Sequence, residues 1–169
     1  TFIANHSTCP LPSKMETLVI ACKEEMEIHV LKNGEIASTY PMAVGQSPQG
    51  HKQRQGDNKT PEGAYRLIQK SRGPFSGSMA DFFGEAWIRI SYPNSFDASE
   101  GMKDGRVNEA EYKLIDYATA KGKEPPKNTE LGGGIGIHGW AGDWDVTGSR
   151  ALTWGCISIR NNDLDEFYE

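Results

Sequence analysis

The chain has 169 residues, of which 37% are hydrophobic and 24% charged, and its formal net charge at pH 7 is −5. This length predicts one domain over residues 1–169, in which residues 1–14 can form an N-terminal extension. The acidic balance argues against nucleic acid as a partner, because phosphate contacts need clustered Lys and Arg. No apolar run approaches the ~20 residues of a membrane span, and no signal peptide is recognisable.

Strand-like segments fill the first quarter of the chain. Residues 15–22, 26–32 and 35–45 are rich in β-branched and apolar residues, which predicts three strands. Asn33 and Gly34 tolerate positive φ and predict a tight hairpin turn between the second and third strands. These segments together predict an antiparallel meander.

The middle of the chain predicts a loop, two strands and a helix. Residues 45–63 form a polar segment punctuated by Gly and Pro, whereas residues 64–70 and 86–93 are strand candidates. Residues 107–122 predict the best helix, because Gly122 can end it and its apolar residues recur at helical spacing: Val107, Ala110, Leu114, Ile115 and Ala118.

The C-terminal part predicts two strands and a second helix. Residues 134–139 and 154–160 carry short β-branched runs. Residues 161–169 predict a helix whose N-cap is Asn161 or Asn162. The whole pattern predicts a mostly β fold with one or two short helices.

One histidine and one cysteine lie at the edges of the last two predicted strands, His138 and Cys156. If these strands pair, the imidazole can take the thiol proton and lower the thiol pKa from about 8.5 toward about 4–7. The amides of Gly155 and Cys156 could face a developing oxyanion, and the Gly139 carbonyl could orient the imidazole. A cysteine in a strand is also commonly structural, so these residues alone leave catalysis and packing both open.

The other two cysteines, Cys9 and Cys22, admit two interpretations. They can form a disulfide that leaves Cys156 as a free thiol, or they can be two unpaired small hydrophobic residues. A redox sensor would need either of them close to Cys156. No metal site is expected, because His51, His138 and Cys156 show no tight ligand spacing.

Four motifs in order carry a family resemblance. The segments "IHG" at residues 137–139 and "TWGCISIRN" at residues 153–161 resemble the active-site motif of the L,D-transpeptidase (YkuD-type) catalytic domain. "GDNKTPEGAYRL" at residues 56–67, "ISYPNSFD" at residues 90–97 and the hairpins of residues 18–45 are also similar to that family. The "TWGC" variant is similar to a proteobacterial subgroup.

The resemblance implies a YkuD-like β-sandwich or barrel-like domain that acts on peptidoglycan stem peptides during cell wall biogenesis. It implies that Cys156 is the nucleophile and His138 the base, that the Gly139 carbonyl orients the imidazole, and that Gly155 with Cys156 forms the oxyanion hole. A thioester on Cys156 would then pass to an amine, as in an L,D-transpeptidase, or to water, as in an L,D-carboxypeptidase. The family implies no cofactor and a location in the periplasm or cell envelope.

Two positions depart from the common family pattern. Trp154 stands where most members have a second His, and Ser158 stands where many have Arg. Strand alternation places Cys156, Ser158 and Arg160 on one face, so Arg160 could meet a substrate carboxylate or form a surface salt bridge. The candidate substrate-binding residues are Trp154, Arg160, Ser158 and Trp140, and the tryptophans can form a pocket wall or pack.

Further residues near the motif have two interpretations each. Trp144 is a pocket wall or packs, and Asp143 and Asp145 recognise the amine of the diamino acid or are solvated. Residues 60–62 are expected to fix a turn, and His51 is expected to be an exposed loop residue. Two other functions stay open: an amidase-like hydrolase that releases a wall-linked protein, and a non-catalytic peptidoglycan-binding module.

Overall fold

The computed structural model describes residues 2–4, 17–78, 80–140 and 149–169. In these residues ten strands form a sheet that curls into a half-barrel. The strands are β1 (Phe2–Ala4), β2 (Thr17–Cys22), β3 (Glu27–Lys32), β4 (Glu35–Gly45), β5 (Gly63–Tyr65), β6 (Leu67–Arg72), β7 (Ala86–Ile90), β8 (Gly136–His138), β9 (Ala151–Thr153) and β10 (Ile157–Ile159). Their order is β5-β1-β2-β3-β4-β10-β8-β7-β6, with β9 paired to β4. The prediction of a mostly β, barrel-like fold is confirmed.

The meander predicted from the first strands is present. β2 pairs with β3 and β3 with β4, both antiparallel. Asn33 and Gly34 adopt φ values of 54° and 85°, as the tight turn between β3 and β4 requires.

The predicted strand over residues 64–70 divides into two. β5 pairs with β1, whereas β6 pairs with β7, and the break falls at Arg66. The Arg66 amide donates to the Ser91 hydroxyl at 2.9 Å instead of joining a ladder. β1 and β9, which the sequence did not predict, have three residues each. Strands of that length are too short for a periodic signal.

Four helices lie among the described residues: α1 (Ala80–Phe83), α2 (Ser95–Lys103), α3 (Glu109–Lys121) and α4 (Asn161–Tyr168). α3 is the helix that the apolar spacing predicts, and it ends at Gly122 in the left-handed conformation. α2 begins with a capping box between Asn94 and Asp97, a sequence signal for a helix start. Leu114, one of the apolar residues in the helical pattern, is 59% exposed.

The predicted N-cap of α4 is wrong. Arg160 occupies the N-cap position, and no side chain caps the helix there. Asn161 is already helical, and its Oδ1 instead accepts a hydrogen bond from the Trp140 amide at 3.1 Å. The side chain therefore ties α4 to the segment after β8.

The core lies within the curl of the sheet. Its buried residues include Ile88, Ile137, Ile157 and Ile159 on three adjacent strands. A smaller cluster packs under α2 and α3, formed by Ala98, Val107, Ile115 and Leu131. Because these isoleucines alternate with the residues beside them, the opposite face of β7, β8 and β10 presents a different set of side chains, described below.

Cys22 is a free cysteine at the end of β2, and Cys9 lies outside the described residues. Within the described ranges, none of the helices has the length and apolar character needed to cross a bilayer.

Candidate active site

Parallel pairing of β10 with β8 brings the cysteine and the histidine onto neighbouring strands. Ile157 is opposite Ile137, and Ser158 is opposite His138. Cys156 directly precedes β10, and alternation places its side chain on the same face as Ser158 and His138. The Cys156 Sγ lies 3.9 Å from the Gly134 carbonyl oxygen. The sequence separation alone did not decide whether these two strands are neighbours.

The imidazole of His138 is oriented from one side. Its Nδ1 lies 2.5 Å from the Gly139 carbonyl oxygen, and the Ser158 hydroxyl donates to the same oxygen at 3.2 Å. Because a carbonyl only accepts hydrogen bonds, Nδ1 carries the proton. Nε2 is then the basic nitrogen, and it has no hydrogen-bond partner among the described residues.

Aromatic rings enclose the imidazole, which is fully buried. The Phe82 ring lies 4.7 Å from the His138 ring between centroids, and the Phe83 ring 5.7 Å. The Trp87 indole stacks on the imidazole at 5.9 Å and 19°. α1 supplies both phenylalanines, and the Phe83 carbonyl accepts from the Gly139 amide at 3.0 Å. The "DFFGEAW" segment at residues 81–87 is visibly rich in aromatic residues, but its sequence does not show that they pack around His138.

Burial keeps both groups of the pair neutral. It lowers the pKa of His138 from 6.5 to about 4, against the opposing effect of the Gly139 and Phe82 carbonyls. It raises the pKa of the Cys156 thiol to about 11, while the Gly136 backbone and the charges of Lys52 and Arg89 act in the opposite direction. The expectation that the imidazole lowers the thiol pKa is therefore wrong for this state. The reason is that Nε2 makes no hydrogen bond that would stabilise a thiolate.

The turn before Cys156 is closed by a buried hydroxyl. The Thr153 Oγ1 donates to the Cys156 carbonyl at 2.6 Å and accepts from the Gly155 amide at 3.2 Å. In this structure the Gly155 N–H is engaged by Thr153, and its role as an oxyanion donor stays a prediction.

The loop of residues 56–63 supports this turn. A Cβ on Gly155 would lie 2.7 Å from the Lys59 carbonyl oxygen, so only glycine allows this approach. The Thr60 hydroxyl accepts from the Gly45 amide at 2.9 Å. The buried ammonium of Lys23 donates to the Thr60 carbonyl at 3.2 Å and to Glu62 at 2.9 Å. The "GDNKTPEGAYRL" motif of residues 56–67 therefore contacts the turn that holds Cys156.

A family profile described as YkuD, the L,D-transpeptidase catalytic domain, matches residues 16–169. The chain belongs to this family. A comparison of this YkuD domain with curated proteins finds no match.

Two solved structures resemble this YkuD domain. The structure of Bd1075 from Bdellovibrio bacteriovorus has a TM-score of 0.55 and 21% identity, over 90% of this chain and 42% of that protein. The chain thus spans less than half the length of that relative, and the likeness concerns the fold. The L,D-transpeptidase of Xylanimonas cellulosilytica, residues 123–326, has a TM-score of 0.49 and 11% identity, over 96% of this chain and 58% of that one.

The predicted substrate-binding residues of the YkuD domain lie in different environments. Trp154 is 57% exposed and stacks on Phe82 at 5.2 Å and 14°. Trp140 is half-buried and also contacts Phe82, at 5.1 Å. Arg160 is exposed at the start of α4. Ser158 is fully buried behind His138, so its predicted contact with substrate is replaced by the hydrogen bond to Gly139.

Trp144, Asp143 and Asp145 lie outside the described residues, so their predicted roles stay predictions.

His51 is not the exposed loop residue that the sequence predicts. Its Nδ1 accepts from the Glu62 amide at 2.9 Å, and its Nε2 lies 3.0 Å from Asp97 Oδ1. The buried Asp97 also accepts from the Tyr65 hydroxyl at 3.1 Å. This network joins the 56–63 loop to α2. Since both imidazole nitrogens have partners, it has a structural role.

Three side chains that a metal ion can use lie together on the β2–β3 hairpin. The ligand atoms of Glu25, Glu27 and His29 are within 4.8 Å of one another. Exposed carboxylates commonly cluster without an ion, and the His29 Nε2 is 3.5 Å from the Glu25 carboxylate. The cluster shares no residue with the Cys156–His138 pair.

Proposed function

We propose that the chain transfers or hydrolyses acyl groups of peptidoglycan stem peptides through a thioester on Cys156. The observation that carries this proposal is the placement of Cys156 beside the strand of His138, whose Nε2 is an unpartnered base in a domain of the YkuD family. The family supports a peptidoglycan substrate, and with it a location in the periplasm or cell envelope.

The first step starts from a neutral thiol and a neutral imidazole. Substrate brings its carbonyl carbon to Sγ, and the thiol proton passes to His138 Nε2 as the S–C bond forms. The Gly139 carbonyl stabilises the resulting imidazolium, because it accepts the Nδ1 proton. Proton transfer that accompanies attack needs no resting thiolate, which agrees with the direction of both pKa shifts.

The second step releases the leaving group. The tetrahedral intermediate collapses, the terminal D-amino acid leaves as an amine with the proton of His138, and a thioester remains on Cys156. An incoming amine of a second stem then gives a cross-link, whereas water gives a shortened stem. Of the two amides predicted for the oxyanion, the Cys156 N–H is the one we retain, since Thr153 engages the Gly155 N–H.

The exposed aromatic surface beside the thiol supports a substrate-contact role for Trp154. Its ring is stacked flat against Phe82, so it presents an exposed apolar face two residues before Cys156. We assign Trp140 and Arg160 as further candidate contacts, with Arg160 suited to a carboxylate because of its guanidinium.

The deciding experiment incubates the protein with purified disaccharide-tetrapeptide beside a Cys156→Ala control, with product analysis by mass spectrometry. A disaccharide-tripeptide identifies an L,D-carboxypeptidase, and a cross-linked dimer identifies an L,D-transpeptidase. No conversion together with an unreactive thiol contradicts catalysis and favours a peptidoglycan-binding module. If the thiol is reactive but the tetrapeptide is not converted, the tetrapeptide is not the substrate. The next substrate to test is then the bond that joins a wall-linked protein to the stem peptide.

A further inference from the structure

Two buried polar atoms on the paired strands β7 and β8 lack hydrogen-bond partners. They are His138 Nε2 and Trp87 Nε1, and each is fully shielded within the described part of the chain. Folded proteins pair nearly all of their buried polar groups, so each exception needs an explanation. The mechanism above accounts for the acceptor, His138 Nε2, and leaves the indole donor without a role.

The sheet places the indole on the same face as the catalytic pair. Trp87 is opposite His138 in the antiparallel ladder of β7 and β8, and the two rings stack at 5.9 Å. The Ser158–His138 pair extends this face to β10, where Cys156 precedes the strand. Trp87 and His138 therefore lie side by side on one face of the sheet, next to the strand that Cys156 precedes.

The benzo edge of the indole lies over Gly136. A Cβ at this glycine would be 2.8 Å from both Trp87 Cζ2 and Trp87 Cη2. Cζ2 is two bonds from Nε1, so the N–H lies on the adjoining edge of the same ring. Gly136 is also the residue whose backbone acts on the Cys156 thiol. The absent side chain at Gly136 thus lets the indole ring approach the backbone that acts on the nucleophile.

The other neighbours of Trp87 contact its ring. The Arg89 guanidinium lies over the ring at 5.4 Å from its centroid, and the Phe83 ring meets it edge-on at 4.9 Å. These contacts hold the ring, which is 8% exposed, and a fixed donor stabilises developing charge without reorganisation. The Gly155 amide, by contrast, already donates to Thr153 Oγ1 in this structure.

We propose that Trp87 Nε1–H donates a hydrogen bond to the carbonyl oxygen of the acyl group that Cys156 attacks. As the S–C bond forms, the electron pair of the C=O π bond moves to that oxygen, and the indole stabilises the oxyanion while keeping its own proton. The thiol proton goes to His138 Nε2 and leaves with the departing group. This role rests on the proposed acyl transfer to Cys156.

The test compares two reactions of Cys156 in the wild type and in Trp87→Phe. Acylation by p-nitrophenyl acetate passes through an oxyanion, whereas alkylation by iodoacetamide does not. Loss of one oxyanion donor lowers a rate by about 100-fold or more, so acylation should fall by that order while alkylation changes less than twofold. Cys156→Ala measures background acylation. An equal fall in both rates, or no fall in either, overturns the proposal.

The natural substrate separates this inference from the proposed function. If the wild type converts disaccharide-tetrapeptide, Trp87→Phe should lower kcat far more than it changes KM. If the wild type leaves the tetrapeptide intact, the peptidoglycan assignment fails, and the p-nitrophenyl acetate comparison still decides the role of Trp87.

A second measurement covers the case in which Trp87→Phe does not fold. In ¹⁵N-labelled wild type, the indole N–H signal of Trp87 should move downfield when Cys156 is acetylated by p-nitrophenyl acetate. An unchanged signal overturns the proposal, since the acetyl oxygen would then not accept from this donor.

Discussion

Ser158 donates a hydrogen bond to the Gly139 carbonyl oxygen at 3.2 Å, and that oxygen also accepts from His138 Nδ1. The hydroxyl thus helps to fix the carbonyl that sets the imidazole tautomer. Ser158→Ala should lower the free energy of unfolding by about 1 kcal/mol. It should also lower kcat by about tenfold, because a misplaced base weakens proton transfer, with KM unchanged. Ser76→Ala, at an exposed position, is the matched control. A changed KM for Ser158→Ala would contradict a role in positioning the imidazole.

The thiol of Cys156 should behave as a neutral group at physiological pH. Since burial raises its pKa to about 11, the rate of alkylation by iodoacetamide should rise with pH without a plateau between pH 6 and pH 8. A thiolate–imidazolium pair would instead give a high rate that levels off in that range. Stopped-flow alkylation of the wild type and His138→Gln distinguishes the two states.

His138 should make the fold less stable in acid. Its folded pKa, about 4, lies below the unfolded value of 6.5, so the unfolded chain takes up a proton first as the pH falls. The contribution of the neutral His138 imidazole to the free energy of unfolding is complete above pH 6.5 and is lost progressively down to pH 4. From the size of the shift, wild type should lose about 3 kcal/mol more than His138→Gln between pH 7 and pH 4. Urea unfolding of both proteins at several pH values measures this difference. If the free energy of unfolding of the two proteins changed with pH in the same way, the lowered pKa of His138 would be contradicted.

Phe82 should keep water away from the imidazole. Phe82→Ala removes the ring that lies 4.7 Å from His138 and stacks on Trp154. The pKa of His138 should then rise from about 4 toward 6.5, because a hydrated imidazolium is less costly. NMR titration of the imidazole measures this value. Phe96→Ala, which truncates a ring that is 66% exposed, should leave it unchanged.

Gly155 should tolerate no side chain. It has φ of +129°, and a Cβ would lie 2.7 Å from the Lys59 carbonyl oxygen. Gly77 has φ of +91° with nothing within 4 Å of its Cβ position, so Gly77→Ala reports the backbone strain alone. Gly155→Ala should lower the free energy of unfolding by about 2 kcal/mol more than Gly77→Ala. It should also slow alkylation of Cys156, and equal effects of the two substitutions would contradict the close approach of the loop.

Much of the local structure was predictable from neighbouring residues. The turn at Asn33–Gly34 depends on residues that accept positive φ, and the end of α3 depends on Gly122 for the same reason. The motifs around His138 and Cys156 likewise indicate the YkuD family, to which the matching profile assigns the chain. These features depend on interactions over a few residues or on the order of motifs, which the sequence displays directly.

The sequence by itself determined the local backbone preferences, the apolar periodicity and the chemical types available for a site. Only the tertiary structure decided which groups meet and which hydrogen bonds remain free. The Gly155 amide is engaged by Thr153, His51 is held by Asp97, and the indole of Trp87 stacks on His138. Each contact depends on the order in which strands pair or loops pack, and burial at those contacts sets the pKa of the catalytic pair. Long-range pairing and burial are properties of the whole fold, so no short segment of sequence specifies them.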